Sequence, residues 1–392
     1  MPMCPATCAG GSDLAEEERM RKLSRATLAV TLAATGVMAV GAIATAQDAS
    51  ELKIGLVTDV GTIDDKGFNE NSWAGTLEGA AAVGAPEPQY AISQTSADIG
   101  PNIQAFVDQA YDIIVTVGFA ATNDTTIQAK AHPEIKFVGV DQGPCITAEG
   151  DPDPTFTCEG DAAALLPNYQ GINWREQHPG YLAGMVAASI SKTGHIGAVG
   201  GTVVIPAVPN FIEGYANGAR SINPDAQVTV VYASGAPDQA AFNDPAGGQA
   251  LAEQMLAQDP ELDVLFQVAG KTGNGVLQAA CDAGIYGIGV DVDQYLSIPV
   301  TAECTVVSAE KKLVKNVSDA IQRIAAGTDQ GGILRLGIDT GDVGLSPFHE
   351  FEDLITDETR TALAEAEAAL ADGSLLACEP QEVTGFCVVT LP

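Results

Sequence analysis

The feature that most constrains this chain is a rhythm. From residue 53 onward, short β-branched runs alternate with amphipathic helical stretches, one pair in about 25–30 residues, the size of a βα unit. Strand-like runs fall at 53–58, 89–93, 112–117 and 136–140, with helical segments at 69–83, 102–109 and 122–131. Residues 143–160 then break the pattern with Pro144, Pro152, Pro154 and two cysteines. It resumes with strands at 195–200, 227–232, 263–268 and 286–290, and helices at 210–221, 248–258 and 274–283. Such alternation predicts parallel sheets, because a parallel crossover needs roughly the length of a helix. Two arrays in one chain predict two lobes with a cleft between them. Residues 169–174, 304–308 and 335–339 read as crossings between the lobes, ahead of a last helix at 357–371. The expected division is 52–170 plus 306–335 for the first lobe, and 171–305 plus 336–392 for the second.

The residues before this rhythm read as an address. Met20 to Arg25 is basic, residues 26–43 are apolar, and Ala44-Thr45-Ala46 has the small-x-small form of a cleavage site. Residues 1–46 are therefore expected to be a leader and signal peptide, with Met20 the natural start. No cysteine ends the apolar run, so a lipid anchor has no acceptor there, and after cleavage no direct membrane insertion is expected. Residues 1–46 hold four acidic and four basic side chains, so the net charge of -33 survives their removal. A surface this acidic excludes nucleic acid as a partner, since that requires clustered Lys and Arg. The expected location is periplasmic or extracellular.

Six cysteines follow the leader: Cys145, Cys158, Cys281, Cys304, Cys378 and Cys387. In an exported chain an even number suggests disulfides. Short loops favour Cys145–Cys158, Cys378–Cys387 and Cys281–Cys304. A zinc site is disfavoured by the absence of any C-x-x-C and by four scattered histidines.

Ligands of open parallel sheets bind beyond the carboxyl ends of the strands. The richest such place is 56–73, where Asp59, Asp64, Asp65, Phe68, Asn69 and Asn71 crowd one turn. The acidic residues lack the alternate spacing and late Glu of a calcium loop, so neither metal nor cofactor is expected. Asp64 or Asp65 is expected to cap the next helix. Asp59 sits at a strand's end, where ligand hydroxyls could donate to it. Phe68 stands outside any apolar period and suits stacking on a planar ring, with Asn69 reading ring edges. Phe242 holds the matching place in the second lobe; Phe211 reads instead as helix packing. Ala269-Gly270-Lys271-Thr272 lacks the upstream glycine of a phosphate loop, since position 265 is Leu. Gly273 and Gly275 let backbone N–H groups approach a ligand there. No G-x-S-x-G elbow and no credible His partner point to catalysis.

These residues carry a family likeness. I-G-L-V-T-D-V-G-T-I-D-D-K-G-F-N at 54–69 resembles the signature of the basic membrane protein family, substrate-binding proteins of ABC transporters that include purine nucleoside receptors. Further matches are P-G-Y-L-A-G at 179–184, N-F-I-E-G-Y at 210–215, F-N-D-P at 242–245, A-G-K-T-G-N-G-V at 269–276 and G-V-D-V-D-Q at 289–294. The resemblance implies a type I periplasmic-binding-protein fold, an α/β architecture of two Rossmann-like lobes joined by three crossover strands. It implies that Phe68 and Phe242 stack on a base and that Asn69 and Asp141 hydrogen-bond it or nearby groups. It also implies that Asp59, Asp291 and Lys311 hold ribose hydroxyls, with Gly270 lending backbone. Gly67 and Lys271 depart from the family's usual Ser and Gly, and the 145–158 insertion is extra. The expected function is capture of a small polar ligand, a purine nucleoside foremost, for an ABC permease. A nucleoside hydrolase using Asp59 and Asp65, or a sensor that presents ligand, is the alternative.

Overall fold

The computed structural model of the protein describes residues 49–391, apart from 237, 238 and 383. The leader and its cleavage site lie outside the described residues. Two six-stranded sheets form the frame. The first comprises β1 (Ile54–Val60), β2 (Gln89–Ser93), β3 (Ile113–Val117), β4 (Lys136–Val140), β5 (Tyr169–Trp174) and β11 (Gly332–Leu336), in the order β11-β5-β4-β3-β1-β2. The second comprises β6 (His195–Thr202), β7 (Gln227–Ser234), β8 (Val264–Val268), β9 (Tyr286–Asp291), β10 (Thr305–Lys311) and β12 (Val343–Leu345), in the order β12-β10-β9-β8-β6-β7. Every pairing is parallel except β10 with β12. The central strands β3 and β8 are buried at every residue, as sheets covered on both faces demand.

Helices of ten or more residues cover these sheets: α1 (Phe68–Val83), α2 (Ile99–Asp108), α3 (Thr122–Ala131), α4 (Gln177–Ile190), α5 (Ala207–Ile222), α6 (Pro245–Gln258), α7 (Gly270–Ala283), α8 (Leu313–Ala325) and α9 (Asp357–Asp372). The chain passes from the first sheet to the second after β5, returns after β10, and leaves again after β11. Divisions at 170/171 and 305/306 would cut through β5 and β10. Sheet membership keeps β5 whole in the first sheet and β10 whole in the second.

Helix α4 has no polar stripe because nearly all of it is buried, and sequence periodicity does not mark it. Its contact with α5 explains the small residues in P-G-Y-L-A-G. A Cβ on Gly184 would stand 1.9 Å from the Tyr215 carbonyl oxygen, and one on Gly218 would stand 1.9 Å from that of Tyr181. The two backbones approach until only hydrogen fits. Cys145–Cys158, Cys281–Cys304 and Cys378–Cys387 are bonded, the three pairs that short loops favour.

Candidate ligand cleft

Strand ends converge between the lobes. Asp59 near the end of β1, Gly118 after β3, Asp141 after β4, Asp291 at the end of β9 and Lys311 at the end of β10 face one cavity of about 700 Å³, mouth included. Phe68, Asn69, Phe242 and Gly270 complete the set expected from sequence, and all eight line this same space. Two of the acidic positions need unusual backbone: Asp141 and Asp291 have φ of 56° and 66°. A non-glycine residue in that region carries strain that its surroundings must offset.

The start of α1 is organised by Asp65. One carboxylate oxygen accepts the Gly67 and Glu70 N–H groups at 2.9 and 3.1 Å, and the other accepts Asn69 N–H at 2.9 Å and Asn69 Nδ2 at 3.1 Å. Asp65 therefore satisfies helix-start donors, the role expected for it or Asp64, and is buried at 6% exposure while doing so. Asn69 Oδ1 accepts the Asp59 N–H at 3.0 Å, so much of this amide is spent on shaping the turn. Asp59 is held by its own neighbour, since its Oδ1 accepts Val60 N–H at 2.7 Å. Gly118 makes room for it: at φ 89°, a Cβ there would lie 2.0 Å from Asp59 Oδ2. Burial, outweighing the Val60 bond and aided by the charges of Asp141 and Asp65, pushes the Asp59 pKa up to about 7.

The two sequence-expected aromatics come from opposite lobes. Phe68 opens α1, while Phe242 lies across Gly201, where a Cβ would meet its ring at 2.2 Å. Phe211 takes part in both packing and lining: it meets Phe266 edge-on at 6.2 Å and also faces the cavity. Phe119 and Lys271, expected in the cleft because they follow strand ends, line it too, as does Asn243 beside Phe242.

Lys311 is the buried cation of the site. Its Nζ stands 2.6 Å from Asp141 Oδ2, 3.5 Å from Asp291 Oδ1 and 3.7 Å from Glu176 Oε1, and 5.3–5.4 Å from the rings of Phe68, Trp174 and Phe211. Burial alone would depress its pKa, but Asp141, Asp291 and Glu176 together raise it, so the ammonium stays charged. Burial in turn lifts Asp291 to about 6 and Glu176 to about 7, against the pull of Lys311 on both. Asp141 Oδ1 is buried without a hydrogen-bond donor among the described residues, and Asp291 Oδ1 has only the 3.5 Å ion pair with Lys311. Glu176 escaped sequence reading because it follows a strand whose end faces the hinge.

Comparison with known proteins agrees with this geometry. The sequence model of the family described as "ABC transporter substrate-binding protein PnrA-like" matches residues 52–369. The chain is 28% identical over 347 residues to the "CD4+ T-cell-stimulating antigen" of Listeria monocytogenes, covering 84% of this chain and 88% of that one. It is 27% identical to the "ABC transporter nucleoside-binding protein BmpA" of Lactococcus lactis, covering 83% and 89%. In fold it is similar to a crystal structure of an ABC transporter solute-binding protein from Aeropyrum pernix, with a TM-score of 0.70 at 24% identity over 83% of this chain and 92% of that chain.

Proposed function

The chain belongs to the PnrA-like family of ABC transporter substrate-binding proteins, and from that premise we propose that its cleft captures a purine nucleoside outside the cytoplasm and hands it to a permease. The observation that carries the choice of ligand is the pairing of unlike walls in one cavity. Phe68 and Phe242 offer ring faces from opposite lobes, while Asp141 Oδ1 is a buried acceptor without a donor and Asp291 Oδ1 has only the 3.5 Å ion pair with Lys311. A planar base answers the first and ribose hydroxyls answer the second. A buried acceptor left unpaired costs about 1–3 kcal/mol, so a ligand without hydroxyls is rejected by the energy it fails to supply. The relative from Lactococcus lactis whose name is nucleoside-binding points the same way.

The carboxylates also set the sign of the site. Asp59, Asp65, Asp141 and Asp291 outnumber Lys271 and Lys311 on the cavity wall, so a phosphorylated ligand would meet repulsion. Titration calorimetry with guanosine, inosine, their 2′-deoxy forms, free bases, ribose and a nucleoside monophosphate tests this reading. Ribonucleosides should bind tightest, and deoxynucleosides at least tenfold more weakly. Binding of ribose alone with no nucleoside bound would overturn it. Incubation with guanosine should yield no free base, because Asp65, the partner of Asp59 in the hydrolase alternative, is occupied by helix-start donors.

A further inference from the structure

We propose that Glu176 and Asn210 are positioning residues for Lys311, and that the C-terminal loop closed by Cys378 and Cys387 is the outer end of the chain of contacts that holds this lysine in the cleft. The inference rests on the cavity being the ligand site, but its first readout needs no ligand.

The contacts run without a break. Lys311 Nζ lies 3.7 Å from Glu176 Oε1. The other oxygen, Glu176 Oε2, accepts a hydrogen bond from Asn210 Nδ2 at 2.9 Å. Asn210 Oδ1 then accepts the backbone N–H of Cys387 at 2.8 Å. Lys311, Glu176, Asn210 and Cys387 are 4%, 2%, 1% and 1% exposed, so no water competes along the way. Cys387 is fixed in turn by its bond to Cys378 and by a bridge to Pro380. One turn further along α5, buried Glu213 accepts Thr390 N–H at 2.6 Å, Leu391 N–H at 2.8 Å and the Thr390 hydroxyl at 2.6 Å. The same helix face therefore grips the tail twice.

Each link constrains the next. An amide that donates at one end and accepts at the other cannot flip, because flipping would set acceptor against acceptor and donor against donor. With Asn210 fixed by Cys387, the Glu176 carboxylate has one orientation. A lysine on a four-carbon stem needs such external definition, since its compact charge has no directional preference of its own. Asp141 and Asp291 alone would leave the ammonium free to follow whichever carboxylate moved. Glu176 lies just past β5, at the crossing between lobes, and is not part of the cavity wall, so it acts through Lys311. In ligand binding the loop would matter although its cysteines lie outside the cavity.

The chain holds two tryptophans, Trp73 and Trp174, and the Trp174 ring is 5.4 Å from Lys311 Nζ. In a Trp73→Phe background, Trp174 emission therefore reports the position of the ammonium in ligand-free protein, with Lys311→Met as the reference for its absence. Glu176→Gln, Asn210→Ala and the paired Cys378→Ala/Cys387→Ala should each move the emission toward that reference. Each should weaken guanosine binding at least tenfold, and Asn210→Ala added to Glu176→Gln should weaken it no further, because residues in one chain do not add. Unchanged Trp174 emission in Asn210→Ala and in the cysteine pair, with only a lowered melting temperature, would overturn the proposal and leave the loop a structural staple. Additive losses in the double variant would do the same. If the paired variant does not fold, Asn210→Ala decides. If guanosine binds none of these proteins, the background included, the nucleoside reading fails while the emission arm still decides the positioning.

Discussion

At the scale of the residue, Asp59 shows how the cleft balances burial against charge. Its pKa of about 7, against an ordinary 3.8, means that the folded protein keeps a proton that the unfolded chain releases. The stability linked to this proton is full below about pH 4 and is lost as pH rises toward 7. Glu176 and Asp291, lifted to about 7 and 6, act in the same direction. Ligand-free protein should therefore melt lower at pH 8 than at pH 5, and Asp59→Asn should flatten that slope. A tenfold change in proton affinity is worth about 1.4 kcal/mol. Because Asp59 is partly exposed, the expected difference between the slopes is only ~1–2 kcal/mol. Equal slopes in calorimetric melts of the two proteins would refute this account. Gly118 supplies a second check. Gly118→Ala puts a methyl 2.0 Å from Asp59 Oδ2 at a φ of 89°, so both strain and displacement follow. Stability should fall by about 1–3 kcal/mol in chemical denaturation, and guanosine affinity at least tenfold.

At the scale of the element, the helix pair α4 and α5 sets the position of Asn210 and of the strand that follows them. Gly218→Leu would force a side chain against the Tyr181 carbonyl, which its Cβ would meet at 1.9 Å, and should destabilise by at least the ~1–3 kcal/mol of an overpacked core. A denaturant midpoint equal to that of the wild type would show that the helices can part. Elements of this kind also show what sequence discloses and what it withholds. β2, β4 and α3 run over the residues that periodicity gave them, because exposed and buried positions alternate at their natural periods or turn residues bound them. α4 carries no such contrast, since its glycines and apolar residues are buried on almost every side. The eight cleft residues could be read because a parallel sheet presents its strand ends to a ligand, the aromatics stood outside any apolar period, and a family likeness added Lys311. Glu176 and Asn210 could not, because their roles arise from a meeting between the end of β5, α5 and a tail some 175 residues away in sequence. Asn69 was legible as a site residue, but its engagement with Asp59 and Asp65 depends on distances that no spacing encodes.

At the scale of the whole molecule, hydrogen bonds among the described residues tie the lobes across the cleft. Lys311 pairs with Asp141 at 2.6 Å, Asn274 Nδ2 donates to the Asp65 carbonyl at 3.2 Å, and the Ser297 hydroxyl donates to the Lys66 carbonyl at 2.9 Å. The first belongs to the ligand cavity, whereas Ser297 and Lys66 do not line it. A hydrogen bond that joins the lobes away from the ligand can affect affinity only by favouring the closed form, since it does not touch what is bound. Opening the hinge returns the Ser297 hydroxyl and the Lys66 carbonyl to water, so the net worth of this bond is about 0.5–1.5 kcal/mol. Ser297→Ala should therefore weaken guanosine binding by roughly two- to tenfold. Its intrinsic selectivity between guanosine and 2′-deoxyguanosine should stay as in the wild type, because the cavity walls are untouched. Small-angle scattering of the ligand-free variant should show a larger radius of gyration, and saturating guanosine should bring it back to the wild-type value. An altered ribose-to-deoxyribose ratio would instead place Ser297 in the binding site. An unchanged affinity with an unchanged radius would mean that closure does not depend on this contact, leaving the Lys311–Asp141 and Asn274–Asp65 contacts to supply the bias between the lobes.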